Sequence, residues 1–246
     1  MNALRSHRWT VRLGIALTAA CGTATVWADP TTLSSGHVDI FEAEYEELVP
    51  GSPELHLGVH TDDGHYEPGD VLLQVKSAAY RSTDGLPAPI TTILGSNAWI
   101  LPSNLEEAAE LGVLEAGVAR APGFPDATAV TFTMVASGTS NPGNFVLFND
   151  AGTIRLSATG STIGTGSFTL TASHLHWNWG FSAPGTYTFG MQASYNDPVA
   201  GPLQSPEETY TFQVVPEPST WALAGTAAVG VAVLRRLRRG GALTVA

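Results

Sequence analysis

Turn signals recur so densely along the middle of this chain that few stretches between them suit a long helix. Pro50-Gly51, Asp63-Gly64, Pro68-Gly69, Asp84-Gly85, Pro142-Gly143, Asp150-Ala151-Gly152 and Pro184-Gly185 punctuate it. Between them lie β-branched and aromatic runs at 37–45, 54–60, 70–76, 90–94, 97–101, 128–136, 144–149, 153–158, 166–172, 174–181, 186–195 and 208–215. Many short strands at such spacing predict an all-β fold, an antiparallel β-sandwich of immunoglobulin-like or jelly-roll-like type. One segment departs from the pattern. In residues 102–117, Ser103 or Asn104 can cap a helix, Glu106 and Glu107 suit its first turn and Gly112 stops it, so one short helix is expected near 103–111. That interruption leaves open one domain or two lobes, with a break near 102–127.

Both ends read as processing segments. Arg5, Arg8 and Arg12 precede an apolar run from Leu13 to Val26, and Val26-Trp27-Ala28 offers a small-residue cleavage site. Residues 1–28 are therefore expected to be a signal helix that directs export. Cys21, the only cysteine, falls inside it, and Thr18-Ala19-Ala20-Cys21 is a poor lipoprotein box because Leu17 stands one place too early. From Asp29 onward the chain has no cysteine, so an ectodomain over 29–215 has to be held by its core. At the other end, Pro216-Glu217-Pro218 leads into an apolar run from Trp221 to Leu234 and then Arg235-Arg236-Leu237-Arg238-Arg239. This order predicts a C-terminal transmembrane helix within 216–239, with its basic cluster retained on the cytoplasmic side. The two ends hold seven of the eleven Lys and Arg residues, leaving Lys76, Arg81, Arg120 and Arg155 among nearly all of the 22 acids. A body so acidic excludes nucleic acid as a partner.

The order Val-Pro-Glu-Pro-Ser, apolar helix, arginine cluster is similar to the PEP-CTERM sorting signal of Gram-negative bacteria. The resemblance implies recognition by an exosortase-type membrane transpeptidase. It also implies an inner-membrane-tethered precursor passed on to the cell surface or extracellular matrix. Pro216, Glu217, Pro218, Arg235, Arg236, Arg238 and Arg239 are the residues that match.

The segment Ser173–Tyr187, SHLHWNWGFSAPGTY, condenses the functional question. In a strand, alternate residues face opposite sides. Leu175, Trp177, Trp179 and Phe181 then face a dry side, and His174, His176 and Asn178 a wet one. After Pro184-Gly185, the dry side resumes with Tyr187, Phe189 and Met191. Such indoles read as core, the alternative being an exposed platform for stacking sugars. The histidines pair in the same way: His37 with Asp39, His56 with His60, and His174 with His176 each share a strand face. Residues two apart on one face are about 6.5–7 Å apart at Cα, near enough for two imidazoles to meet one ion at about 2.0–2.1 Å. His37, Asp39, His56, His60, His174 and His176 are thus candidate metal ligands, with His56, His60, His174 and His176 expected to share one ion. Asp62 and Asp63 are further carboxylates. With no thiolate, such a set favours a divalent ion such as Zn²⁺ or Cu²⁺. The alternative is that histidine is simply a polar residue tolerated on a wet face.

A second resemblance covers most of residues 36–195. GHVDIFEAEYEE, PELHLGVHTDD, NAWILP, GVLEAG, PGNFVLF and HLHWNWGFSAPGTYTFGMQAS, in that order, look like the surface-anchored domain family called choice-of-anchor M. The closing segment is similar to the actinobacterial surface-anchored repeat. The matching positions are His37, Asp39, His56, His60, Trp99, Pro102, His174, His176, Asn178, Trp179, Pro184, Gly185 and Tyr187. The resemblance implies an ectodomain displayed by interchangeable anchors, with no established enzymatic activity and with some relatives tied to metal-type transport. A second tryptophan expected near Leu114 is missing here.

Recognisable catalytic motifs are lacking. There is no Gly-x-Ser-x-Gly elbow, no phosphate loop and no His-Glu-x-x-His helix. The expectation is a non-enzymatic, exported surface or matrix protein that binds a divalent metal. Two other readings compete with it. A carbohydrate-binding module for exopolysaccharide needs exposed aromatics such as Trp99, Tyr66 and Tyr80. A metal-dependent hydrolase needs an open coordination position and a base.

Overall fold

The computed structural model describes residues 29–124 and 129–216. The expected signal helix over 1–28, the apolar run 221–234 and the sorting residues Glu217, Pro218, Arg235, Arg236, Arg238 and Arg239 lie outside the described residues.

In chain order the elements begin with β1 (Thr31–Leu33), β2 (Gly36–Val49), β3 (Ser52–Thr61), β4 (Gly64–Tyr66), β5 (Val71–Val75) and β6 (Tyr80–Ser82). Helix α1 (Ala88–Leu94), β7 (Asn97–Leu101), α2 (Leu105–Leu111) and β8 (Leu114–Arg120) follow. Then come β9 (Val130–Ser140), β10 (Asn144–Phe148), β11 (Ile154–Thr159), β12 (Thr162–Ile163), β13 (Ser167–Leu170), β14 (His174–His176) and β15 (Asn178–Phe181). The last are β16 (Gly185–Asp197), β17 (Gly201–Gln204) and β18 (Glu208–Val214).

These strands build three sheets. The largest runs β1-β5-β18-β16-β9-β13 with β17 added along β16; the second runs β12-β11-β10-β15-β7-β6; the third runs β14-β8-β2-β3-β4. The expected antiparallel sandwich is in fact mixed, because β1–β5, β5–β18 and β2–β8 are parallel ladders. Each parallel neighbour is reached by a crossover too long for a hairpin, the only kind of connection a parallel pair allows.

Aromatic residues tie the sheets together. Phe41 of β2 packs on Trp179 of β15 at 5.0 Å and on Tyr210 of β18 at 4.8 Å between ring centroids. Phe181 of β15 and Phe189 of β16 both meet Phe212 of β18 at 5.4 Å. One continuous core therefore joins residues on both sides of 102–127. Residues of all three sheets meet in this core, and the chain passes from the third sheet to the second between β14 and β15.

Helix α2 matches its expectation. The Asn104 side chain accepts from Glu107 N at 2.9 Å, and Gly112 closes the helix in the left-handed region. The segment 90–94, expected as a strand, is instead part of α1. Pro89 stands in its first turn, and Gly95, at φ 81°, ends it. Thr91 and Thr92 donate their hydroxyls back to Ala88 O. Ile90 and Leu94, four apart, press one helix face onto Ile100, Val146 and Phe148. Tertiary burial thus overrides a β-branched composition.

The 174–181 strand is also corrected. It breaks at Trp177, with His174–His176 in one sheet and Asn178–Phe181 in the next. Trp177, Trp179 and Phe181 are buried as expected, whereas Leu175 is exposed and Asn178 is buried. Asn178 Oδ1 accepts from Ser103 N at 3.1 Å, and its Nδ2 donates to Asp150 Oδ1 at 2.8 Å. A polar residue at this corner is satisfied by the α2 entry loop and the β10–β11 turn.

Candidate metal centre

Strand β2 lies in the middle of the five-stranded sheet, and its outward face carries the chemistry. Asp39 pairs with His60 of β3 and Gly117 of β8, but the next outward partners along β3 are Glu42 and Gly58. β2 therefore holds one extra residue around Ile40, a β-bulge that reverses which residues face out. Before it, His37 and Asp39 face out; after it, Glu42 and Glu44 do. Ile40 and Phe41 are both fully buried across the bulge.

His174 and His176 sit on the edge strand β14, opposite Ala119 and Gly117 of β8. Gly117 thus lies between the β14 histidines and Asp39. Its importance is space. A Cβ there would collide with the Asp39 carboxylate and lie 2.8 Å from His174 Nε2. Without a side chain at 117, imidazole and carboxylate meet above the backbone of β8.

They meet closely. His37 Nε2 is 3.2 Å from His174 Nε2. Asp39 Oδ1 is 2.6 Å from His174 Nε2 and 3.7 Å from His37 Nε2. His176 completes the group, each of the three imidazoles offering a nitrogen within 4.8 Å of the others. Four atoms bound tetrahedrally at about 2.0–2.1 Å stand about 3.3 Å from one another; the His37–His174 separation is of that size, while the Asp39–His174 contact is shorter and Asp39 stands beside the three-ring group rather than within it. Asp39 Oδ1 is buried, and its close contact is His174 Nε2. A carboxylate oxygen withdrawn from water needs such a partner, which a protonated imidazole or a cation among the rings can supply. His37 also turns Nδ1 toward Asp62 Oδ1 at 3.7 Å, placing a carboxylate behind a would-be ligand.

The two β14 imidazoles are pulled in opposite directions. The adjacent Asp39 carboxylate is the main cause raising the His174 pKa. Burial, helped by the charges of His174 and His37, lowers that of His176. One ring is thus held toward the protonated state and the other toward the neutral, ligating one.

The six candidates from the sequence do not form one group. His37, Asp39, His174 and His176 come together. His60 faces Glu42 and His65 instead. His56 lies opposite Glu44 in register and pairs with Glu54 at 3.4 Å, outside both groups. The expected sharing of one ion by His56, His60, His174 and His176 is therefore not the arrangement found. Glu42 and His65 were missed. The available signal was the Asp63-Gly64 turn, since a two-residue connection after Thr61 sets His60 opposite His65.

Of the aromatics expected for a sugar platform, Trp99 is buried, and Tyr66 and Tyr80 are half-buried against the core. Trp99, Trp177 and Trp179, the described tryptophans, are all buried, and Tyr80 packs on Trp99 at 4.5 Å. Residues 214–239 match the PEP-CTERM protein-sorting motif. The motif identifies an exported protein, held as a membrane-anchored precursor and sorted by an exosortase-type system of Gram-negative bacteria. A search of curated proteins finds no match to the chain.

Proposed function

We propose that this protein is a non-enzymatic module of the cell surface or extracellular matrix, delivered by its sorting tail, whose β-rich body binds a divalent transition-metal ion. His37, His174, His176 and Asp39 are the ligands. The observation that carries this reading is the convergence of three imidazoles on one another beside a buried carboxylate that touches His174, over a glycine that leaves room for them. Three neutral nitrogens and one carboxylate suit Zn²⁺ or Cu²⁺. Asp39, in contact with His174, stands where it would close a tetrahedral shell around an ion held by the three imidazoles, and a closed shell is the mark of a holding site rather than a hydrolytic one. The acidic body, with a net charge of −11 for the whole chain, concentrates cations around it.

The test is equilibrium dialysis of the full chain in detergent against Zn²⁺, followed by elemental analysis. The His174→Ala/His176→Ala variant is expected to lose one bound ion per chain relative to wild type. Equal uptake by the two proteins would overturn the assignment.

A further inference from the structure

A second group of the same chemical kind stands on the same sheet face, beyond the bulge. Glu42 projects outward from β2, His60 from β3 and His65 from β4. The hairpin that joins β3 and β4 is tight. Thr61 Oγ1 donates to Gly64 O at 3.1 Å and accepts from Asp63 N and Gly64 N at 3.2 Å. Its register sets His60 directly opposite His65. His65 Nδ1 is 3.6 Å and His60 Nδ1 3.8 Å from the same oxygen, Glu42 Oε2. Both imidazoles therefore present one nitrogen to one carboxylate oxygen, at separations somewhat longer than the about 3.3 Å between ligands of a shared ion.

Three further features fit a ligand better than a bare surface. Behind His65, Nε2 is 3.0 Å from Glu44 Oε1, so a second carboxylate faces the nitrogen that would not bind. Such a partner is the usual support of a metal-bound imidazole. Glu42 is nine-tenths buried, and the ion pairs it makes are with histidines. Beneath the group lies Gly58, where a Cβ would collide with the His65 ring and with the Glu44 carboxylate. The space that Gly117 leaves for the first group, Gly58 leaves for this one.

We propose that Glu42, His60 and His65 bind a second divalent transition-metal ion, with Glu44 orienting His65 and one coordination position facing solvent. The donor set is two imidazoles and one carboxylate, without sulfur, which takes Zn²⁺ or its neighbours in preference to Ca²⁺ or Mg²⁺. The site is independent of the first, since the two share no ligand. His60 and His65 are 47% and 40% exposed at their side chains, so this ion exchanges faster than the first and has room for a water or an outside donor as its fourth ligand.

The experiment is the same Zn²⁺ dialysis of the full chain in detergent, applied to four proteins: wild type, His174→Ala/His176→Ala, His60→Gln/His65→Gln and Glu42→Gln. Wild type is expected to hold two ions per chain, each variant one. Both exposed histidines can be changed without touching the core, and the isosteric Glu42→Gln tests the same site by a different ligand. Thermal melting without metal checks that each variant is folded. A folded His60→Gln/His65→Gln protein that keeps two ions overturns the proposal, as does one that keeps none, which would make the two groups a single site. Loss of an ion from that variant but not from His174→Ala/His176→Ala would sink the first assignment and leave this one standing.

Discussion

The two histidine–carboxylate groups occupy the two ends of one cross-sheet row. His176, Gly117, Asp39, His60 and His65 are successive register partners across β14, β8, β2, β3 and β4. Each group places imidazoles and a carboxylate over a glycine. They differ in enclosure. In the first, the side chains of Asp39, His176 and His37 are 8%, 13% and 21% exposed and only His174, at 35%, reaches toward solvent; in the second only Glu42 is enclosed, with His60 and His65 at 47% and 40%. They differ also in donors, three imidazoles with one carboxylate against two with one. A shared strand device has produced a closed set at the sheet edge and an open set at a hairpin. The bulge near Ile40 is what divides β2 between them. It sends Asp39 to one group and Glu42 to the other; an uninterrupted strand with Asp39 outward would turn Phe41 outward and Glu42 into the core.

The largest effect is expected from filling the space under the closed group. Gly117→Ala removes no ligand. Its methyl group meets Asp39 and His174, and the enclosed Asp39 has nowhere to swing. Zn²⁺ affinity at the first site is expected to fall about 10–100-fold, the range for disturbing groups that orient ligands. Competition against a chromophoric chelator reads this directly, and the second ion should be unaffected. Unchanged affinity at the first site would show that Gly117 is not the reason the group can assemble.

The matching change under the open group has a smaller effect. Gly58→Ala meets the His65 ring and the Glu44 carboxylate, but His65 is partly in solvent and can rotate away. The second site is expected to weaken by about 10-fold or less, in the same competition measurement. A loss as large as that in Gly117→Ala would mean that the two groups are equally rigid and that exposure does not separate them.

The parts of this arrangement legible in the sequence are those that follow from period two alone. His37 with Asp39, His174 with His176 and the buried Trp177 and Trp179 all come from alternation within a single run. What alternation cannot reveal is where it resets. Nothing in HVDIFEAEY announces the extra residue at the bulge, so Glu42 and Glu44 read as inward or irrelevant while Asp39 reads as outward. Nor can it reveal pairing between distant segments. β14 lies beside β8, and β8 runs parallel to β2, so His174 reaches His37 across 137 residues of chain. His56 shows the converse limit. It shares a face with His60 as expected, yet its cross-strand neighbour is Glu44 rather than another imidazole. The helix at Ala88–Leu94 was hidden because Ile-Thr-Thr-Ile-Leu has strand composition, and only the sheet it packs on makes Ile90 and Leu94 a helical stripe.

The smallest effect concerns pH and separates the two groups without any metal. In the first group the shifts oppose each other: the His174 pKa is raised by Asp39 and the His176 pKa is lowered by burial. Their contributions to the pH dependence of folding therefore partly cancel. In the second group, burial, with Glu44 and Asp39 adding to it, raises the Glu42 pKa from 4.5 to about 7. A folded state that holds this proton more tightly than the unfolded chain gains stability when the proton is on. That contribution is complete below pH 4.5 and is lost as the pH rises through about 7. In EDTA, the melting temperature of wild type should fall across this window by a few degrees, on a scale of about 2–4 °C per kcal/mol for a domain of this size. Glu42→Gln, which cannot ionise, should flatten the fall. His174→Ala/His176→Ala should leave most of it in place. Saturating Zn²⁺ should erase it, because the ion binds the ionised carboxylate and favours high pH instead. If Glu42→Gln retains the wild-type slope in EDTA, the buried acid is not the source of the imbalance, and the contrast in charge between the two groups fails even where the contrast in enclosure holds.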